Sequence, residues 1–509
     1  MKLVKSLLLG SVVGLIGAAG AQAADLPTRK SAPVEYVRIC DAYGAGFFYI
    51  PGTDTCLKVG GLVLGEVRAF NPSYSVSAPY ASGSAKGSAL AASSYGNQRE
   101  RDAYGYAALG RIELDTRTAT AWGTLRTFAR VDSYYGAGDT ASTGSNQQGF
   151  AGTSIINTTA NTNVSRYTTI LNKAFIQFGG LTAGYAQSIF DFYANAYDWS
   201  GIRGANNTAA MFAYTATFGN GFSASIAAED QAAHRVNLAS EIAGTTAVVA
   251  GDRIPDVTAN LRYDAAWGAV QVSGAAHQNN WTAFPTGATI PGNVVSAAGA
   301  APGPTVAAFP TGSGNQYGFA AQVGVQFNLD SLSPGDKLWL EAAYEKGAIS
   351  YLESNLVFSN GTVNADRSVG MVTPNYGIGW QHGQDYDCVL VPAGYCEQQN
   401  GFVAVASFKH YWLPTLSSSF YGSFMRVNYG AAAINSVGGG IGATSYQEEI
   451  LGSNLIWTPV KGLDIGGEFD YYRMTTLTGG PSFVVPAGFP TFTSTAQAYA
   501  GRIRVQRAF

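Results

Sequence analysis

Tyr317-Gly-Phe-Ala-Ala-Gln-Val-Gly-Val-Gln-Phe-Asn-Leu329 is the stretch whose period decides the fold. Its odd positions are Tyr317, Phe319, Ala321, Val323, Val325, Phe327 and Leu329, and its even positions are Gly318, Ala320, Gln322, Gly324, Gln326 and Asn328. Side chains on a strand point alternately to two faces, so this segment has one apolar and one polar face. The same period recurs elsewhere. Val257, Ala259, Leu261 and Tyr263 alternate with Thr258, Asn260, Arg262 and Asp264. Leu463, Ile465, Gly467, Phe469 and Tyr471 alternate with Asp464, Gly466, Glu468, Asp470 and Tyr472.

Composition narrows the choice of architecture. The chain has 509 residues, with 63 Gly, 29 Tyr and 26 Phe, but only 12% charged residues. A soluble chain carries about 25%. Apolar residues make up 46%, too many for a disordered polymer. The formal net charge of -3 gives no electrostatic case for nucleic acid as a partner. Residues 265–329 lack Asp, Glu, Lys and Arg, yet Pro285, Pro291, Pro302, Pro304 and Pro310 interrupt them. That stretch reads as strand, long loop, strand, not as a spanning helix.

Two architectures carry strands of this kind. A soluble sandwich keeps its apolar faces inside, and a membrane barrel turns them outward. The period alone leaves both open, and three further features favour the barrel. Polar faces hold Arg and carboxylates at close spacing, as in Arg111, Glu113, Asp115 and Arg117. Aromatic residues gather near strand ends, as with Tyr134 and Tyr135, Tyr471 and Tyr472, and Trp412, which suits bilayer interfaces. Tight turns (Gly179-Gly180, Gly219-Asn220-Gly221, Lys461-Gly462) alternate with long Ser/Ala/Asn-rich connections at 71–100, 135–164 and 231–255. We therefore expect an all-β fold, a transmembrane antiparallel β-barrel over residues 57–509. Sixteen segments begin near Leu57, Ala103, Trp122, Leu171, Leu181, Met211, Phe222, Val257, Ala269, Tyr317, Lys337, Phe402, Ser419, Gln447, Leu463 and Gln497. A barrel of about sixteen strands leaves an aqueous channel.

The chain opens with an export address. Lys2 and Lys5 precede a short apolar core at 7–20, and Ala21-Gln22-Ala23 fits the small-x-small cleavage rule. Residues 1–23 thus read as a signal peptide, the apolar run being short for a membrane anchor. Export permits disulfides. Cys40, Cys56, Cys388 and Cys396 form two pairs close in sequence, and of the three possible connectivities we favour Cys40–Cys56 and Cys388–Cys396. Residues 24–56 then form an N-terminal periplasmic segment with a disulfide loop. His234, His277, His382 and His410 are scattered without ligand spacing, so neither metal nor cofactor is expected.

The last segment runs Gln497-Ala-Tyr-Ala-Gly-Arg-Ile-Arg-Val-Gln-Arg-Ala-Phe509. Tyr499, Gly501, Ile503, Val505 and Phe509 face one way, and Arg502, Arg504 and Gln506 the other. An amphipathic strand ending in Phe resembles the signal read by the outer-membrane assembly machinery, and Phe509 is assigned that role. The run Val37-Arg-Ile-Cys-Asp-Ala-Tyr-Gly-Ala-Gly-Phe-Phe-Tyr-Ile-Pro-Gly-Thr-Asp-Thr-Cys56-Leu-Lys-Val-Gly-Gly61 resembles the opening of the alphaproteobacterial outer-membrane porins. Phe175-Ile-Gln-Phe178, Leu181-Thr-Ala-Gly-Tyr-Ala-Gln-Ser-Ile-Phe-Asp-Phe-Tyr193 and Tyr214-Thr-Ala-Thr-Phe-Gly-Asn-Gly-Phe222 are similar to that family too. The resemblance spans essentially the whole mature chain, its opening being specific and its later strands generic. It implies a general diffusion porin in the outer-membrane lipid: sixteen strands, a homotrimer, and a third loop folded inward. The long apolar loops at 281–316 and 476–495 depart from the family.

A passive pore needs a wet lumen, a narrowing and a field across it. By position, residues 188–210 are the third long loop, with Asp191 and Asp198 as its carboxylates and Phe190, Phe192, Tyr193 and Tyr197 suited to packing on a wall. The resemblance implies that this loop enters the lumen. The expected pore wall is Arg111, Glu113, Arg117, Arg126 and Arg130, with Asp115 and Asp132 on the same faces. These arginines either face the loop carboxylates across a narrow gap or serve as structural ion pairs, and both can hold. Solutes are expected to be small and hydrophilic. Three alternatives stay open: a substrate-selective channel, a barrel enzyme, and an adhesive surface protein. An enzyme has the least support, since neither H-E-x-x-H nor G-x-S-x-G appears. Gly438-Gly-Gly-Ile-Gly442 lacks the lysine and helix of a phosphate cradle.

Overall fold

The computed structural model describes residues 38–73, 104–138, 166–240, 245–285, 312–353, 386–434, 445–478 and 495–509. The expected signal peptide at 1–23, residues 24–37, His382 and the Gly438–442 run lie outside these, as do most of the long connections at 71–100, 135–164, 281–316 and 476–495. By its packing the chain divides into two units, Met1–Cys56 and Leu57–Phe509.

In the first unit a 3-10 turn at Asp41–Tyr43 and a short strand at Phe48–Tyr49 surround a disulfide between Cys40 and Cys56, with Phe47 buried against it. Arg38 lies 4.5 Å over the Tyr49 ring.

The second unit is a closed, all-β, sixteen-stranded antiparallel barrel. Its first eight strands are β1 (Cys56–Ser73), β2 (Tyr104–Thr120), β3 (Gly123–Gly138), β4 (Arg166–Phe178), β5 (Leu181–Gln187), β6 (Thr208–Gly219), β7 (Phe222–Glu229) and β8 (Asp256–Ala265). The second eight are β9 (Gly268–Pro285), β10 (Gly312–Asn328), β11 (Lys337–Lys346), β12 (Asn400–Leu413), β13 (Leu416–Asn428), β14 (Ser445–Val460), β15 (Leu463–Thr478) and β16 (Thr495–Ala508). Each strand pairs with its sequence neighbour, and β16 closes on β1 from Leu62↔Ala508 to Ser73↔Gln497. Closure satisfies the backbone groups that an open edge would leave unpaired. Phe509 continues the seam, exchanging two main-chain hydrogen bonds of 3.1 Å with Gly61.

The direction of the apolar rows separates barrel from sandwich. Along β10, Tyr317, Phe319 and Val323 are exposed, whereas Gln322 and Gln326 are buried inside. Ile112 on β2, Phe212 on β6, Leu261 on β8, Phe402 on β12, Leu455 on β14 and Ile503 on β16 point outward in the same way. Such a surface suits lipid and not water. Trp122, Phe218, Trp267 and Trp412 are exposed beside the short turns and form an aromatic girdle at that end. Of the expected aromatic pairs, only one member of each serves a girdle. Tyr135 is exposed but Tyr134 is buried, and Tyr472 is buried beside the partly exposed Tyr471, because adjacent strand residues face opposite ways.

Short and long connections segregate by end. At Gly179-Gly180 both residues have positive φ, 56° and 91°, the condition for the hairpin turn whose twist matches its strands. The long connection 231–255 holds more structure than its composition implied. Asn237–Ser240 pairs in parallel with Tyr386–Leu390, which pairs with Cys396–Gln398 to make a three-stranded sheet. Thr245–Val249 pairs with the outer end of β9. A disulfide joins Cys388 to Cys396, the second of the expected pairings.

Candidate functional site

Between β5 and β6 the chain leaves the wall and crosses the barrel interior. Its entry and exit are tied by Ser188 N–H donating to Asn207 C=O at 2.8 Å. From there it is fastened to one strand after another. Gln271 on β9 and Gln322 on β10 both donate to Phe190 C=O, at 3.3 and 3.0 Å. Tyr193 N–H donates to Glu341 on β11 at 2.9 Å, and Asn454 on β14 donates to Tyr197 C=O at 2.8 Å. Trp199 N–H donates to Glu468 on β15 at 2.7 Å, and Arg502 on β16 donates to Trp199 C=O at 3.0 Å. On the return limb, Arg203 pairs with Glu448 on β14 at 2.8 Å and with Glu353 at 3.3 Å.

The aromatic residues of this loop do pack on the wall. Phe190 meets Tyr351 edge-on at 4.8 Å, Phe192 meets Trp339 at 5.0 Å, and Tyr193 meets Trp339 at 5.8 Å. Gly324 on β10 leaves the space that the Phe192 ring fills. Gly204, at φ +123°, passes where a Cβ would stand 3.0 Å from both Glu341 Oε1 and Val405 Cγ2.

The two loop carboxylates are placed differently from the sequence expectation. Asp191 accepts from Asn207 N–H at 2.5 Å and from the Gln187 side chain, and its carboxylate is turned into the base of the loop. Asp198 accepts from Tyr193 Oη at 2.8 Å and is buried. Burial pushes each up to about 7 from the ordinary carboxylate range. They therefore do not face the arginines across a gap. The loop's own polar groups reach them first, because each lies four or five residues from its side-chain partner.

The arginines form a ladder on β2 and β3. The register places Arg111 opposite Asp132, Glu113 opposite Arg130 and Arg117 opposite Arg126. Two carboxylates each hold two guanidiniums. Asp132 accepts from Arg111 at 2.8 and 2.9 Å and from Arg130 at 3.3 and 3.0 Å. Asp115 accepts from Arg117 at 3.2 and 2.9 Å and from Arg126 at 3.0 and 3.1 Å. Glu113 stands 3.8 Å from Arg130. Four guanidiniums thus meet three carboxylates, and a bulge in β4 sets Lys173 opposite Arg130.

A second charged group was not singled out from the sequence. Glu66 and Arg68 on β1 meet Arg502 and Arg504 on β16 and Glu468 on β15, with Arg504–Glu66 at 2.6 Å, Arg68–Glu66 at 2.9 Å and Arg502–Glu468 at 3.2 Å. Arg504 also lies 4.6 Å over the ring of Trp199. Arg502, Arg504, Glu468 and Asp470 all occupy polar faces in the strand pattern. What joins them to Glu66 is the closing seam, which a local reading does not contain.

A closed sixteen-stranded barrel, apolar outside and charged within, crossed among the described residues by one inserted loop, defines an outer-membrane channel architecture. The family profile described as "Porin subfamily" matches residues 25–482, and the chain belongs to that family of the outer membrane. Porin Omp2b of Brucella suis biovar 1 is 33% identical over 272 residues, covering 52% of this chain and 64% of the relative. A second Brucella suis Porin Omp2b is 32% identical over 280 residues, with the same coverage. The matched region thus spans somewhat under two thirds of these relatives' length. The crystal structure of the outer membrane channel DcaP of Acinetobacter baumannii superposes with a TM-score of 0.54 at 15% identity, covering 91% of this chain and 99% of that one. It shares the fold.

Proposed function

We propose that the chain is a passive diffusion pore for small hydrophilic solutes and ions, with the loop at 188–207 as its constriction and Arg111, Glu113, Arg117, Arg126 and Arg130 lining the passage. One observation carries this reading. The loop is fastened along β7 to β16, and its anchors are sealed: the side chains of Arg203 in the loop and Glu448 on β14 are 1% and 0% exposed. On the β2–β3 ladder the side chains of Arg111, Arg117 and Arg126 are 18%, 29% and 28% exposed. Water therefore has access on the ladder side, where a slight excess of guanidinium sets the local field. Asp191 and Asp198 belong to the loop but act on its seating more than on passing ions. This reading needs no catalytic group.

The test is conductance and reversal potential in planar bilayers under a salt gradient. Replacing Arg126 and Arg130 by Ala leaves Asp115–Arg117 and Asp132–Arg111 paired, so the wall should still fold. Conductance is expected to rise and selectivity to move toward cations. Wild-type values for both quantities would remove the ladder from the passage. A solute that binds and blocks at micromolar concentration would favour the substrate-selective channel instead.

We further propose that residues 1–23 direct export, that residues 24–56 are periplasmic, that the barrel forms a homotrimer, and that Phe509 is read by the outer-membrane assembly machinery. Deleting Phe509 should lower the amount of folded, heat-modifiable protein several-fold while leaving the conductance of assembled pores unchanged. Normal assembly with altered conductance would contradict the assignment.

A further inference from the structure

At the long-loop end of the barrel, several connections converge on one buried imidazole. His277 on β9 has Nδ1 2.9 Å from both oxygens of Asp256, the first residue of β8. Its Nε2 lies 3.5 Å from Oδ2 of Asp387, in the Tyr386–Leu390 strand. A neutral imidazole has one donor and one acceptor nitrogen, and only the imidazolium has two donors. With a carboxylate at each nitrogen, the charged ring is the species this geometry accommodates.

The surrounding titratable groups come from every element packed there. Tyr351 Oη donates to Asp256 at 2.8 Å, and Ile349 N–H donates to Asp387 at 2.9 Å. His234 stacks on Tyr351 at 4.4 Å and pairs with Glu229 at the end of β7 at 2.9 Å. Glu229 also accepts from Ser188, where the constriction loop begins, at 3.0 Å. Glu345 on β11 accepts from Ala348 N–H at 2.8 Å. The Tyr386–Leu390 strand is half of a disulfide-linked hairpin that packs on Trp281 and Ala283 of β9. It lies at the mouth, and its one charged tie to the β8–β9 wall among these contacts runs through His277.

We propose that His277 is a proton-operated latch for the hairpin at 386–398: charged, it clamps Asp387 to Asp256 and holds the hairpin over the outer mouth, and on losing its proton it lets the hairpin lift and the mouth widen. A neutral ring leaves an acceptor nitrogen against one carboxylate and two buried carboxylates without their shared counter-charge. The latch rests on the pore reading above, since it regulates that pore.

The experiment records single-channel conductance from about pH 5 to about pH 10, alongside hydrogen exchange of residues 386–398. The wild type should switch, as pH rises, from a steady level to a larger and noisier one, and exchange in the hairpin should rise with the same midpoint. His277→Gln should show the larger level and fast exchange throughout, with no midpoint. Asp387→Asn removes one carboxylate from the imidazolium and should lower the midpoint by about 1 to 2 pH units. A wild-type record flat across the range, or an unchanged midpoint in either variant, overturns the latch. If His277→Gln does not assemble, the midpoint of Asp387→Asn decides. Absence of conductance at every pH would instead sink the pore reading, while hydrogen exchange would still report on the latch.

Discussion

Arg203→Met is expected to free the return limb of the inserted loop and, on the proposal that this loop forms the constriction, raise single-channel conductance severalfold, with frequent transitions between levels. Arg203 is fully enclosed, with Nε and Nη2 each 2.8 Å from Glu448 and Nη1 3.3 Å from Glu353. Its main-chain N–H donates to Ser423 at 3.0 Å, and the next residue, Gly204, donates to Leu352 C=O at 2.8 Å. Methionine fills the volume but leaves both carboxylates without this partner in a water-poor site. Removing one side of a buried ion pair costs about 3 to 5 kcal/mol. The sixteen-stranded ladder does not depend on this contact, so the barrel should still assemble and the cost should fall on the docking of the loop. Arg203→Lys keeps the charge but loses the planar fork, and should give an intermediate conductance. Wild-type conductance and protease resistance in Arg203→Met would show that the limb is held by its main-chain hydrogen bonds and apolar contacts without the ion pair.

Loop anchors of this kind mark where sequence reading stops. The strands were legible because each carries its own evidence. All sixteen segments appear, the starts of β1, β2, β3, β5, β7, β8, β9, β11 and β15 falling within one residue of those expected. The sandwich alternative failed on one directional fact that no sequence states, namely that Val323 and its row face outward. Positions of lumenal charge were half legible. The ladder on β2 and β3 follows from two adjacent strands joined by a two-residue turn, so its register could be read locally. The seam group could not, because Glu66 and Arg504 are 438 residues apart and meet only when the barrel closes.

The loop carboxylates show a different kind of limit. Position in the chain correctly puts Asp191 and Asp198 in the third long connection, but composition does not say which way a loop side chain turns. Gln187 and Tyr193 were visible in the sequence at spacings of four and five, and these are the groups that take up the two carboxylates. Likewise Glu341, Glu448 and Glu468 read as ordinary members of polar strand faces. Only the path of the loop over them turns lumenal carboxylates into buried anchors.

Burial of those two aspartates makes the seating of the loop pH-dependent, in a direction that can be worked out. Both are raised from 3.8 to about 7, chiefly by loss of solvent. The folded state therefore prefers the neutral acid, whereas the undocked loop ionises in the ordinary carboxylate range. Their contribution to docking is complete below about pH 4 and is lost as pH rises through about 7. The loss is about 4 kcal/mol for each carboxylate, set by the pKa difference between the two states. Heat resistance and protection of residues 188–207 from hydrogen exchange should accordingly fall between about pH 4 and about pH 7. Asparagine resembles the protonated acid in shape and its carbonyl can accept the same hydrogen bonds. Asp191→Asn with Asp198→Asn should thus flatten the pH dependence of residues 188–207 and leave the loop better docked at pH 8 than in the wild type. Exchange at 386–398, governed by His277, should keep its own midpoint in this variant, except for the weak coupling that reaches Asp191 through Glu229 and His234. A double variant whose loop still loosens with the wild-type pH profile would show that other carboxylates beneath it, Glu341 foremost, control its seating.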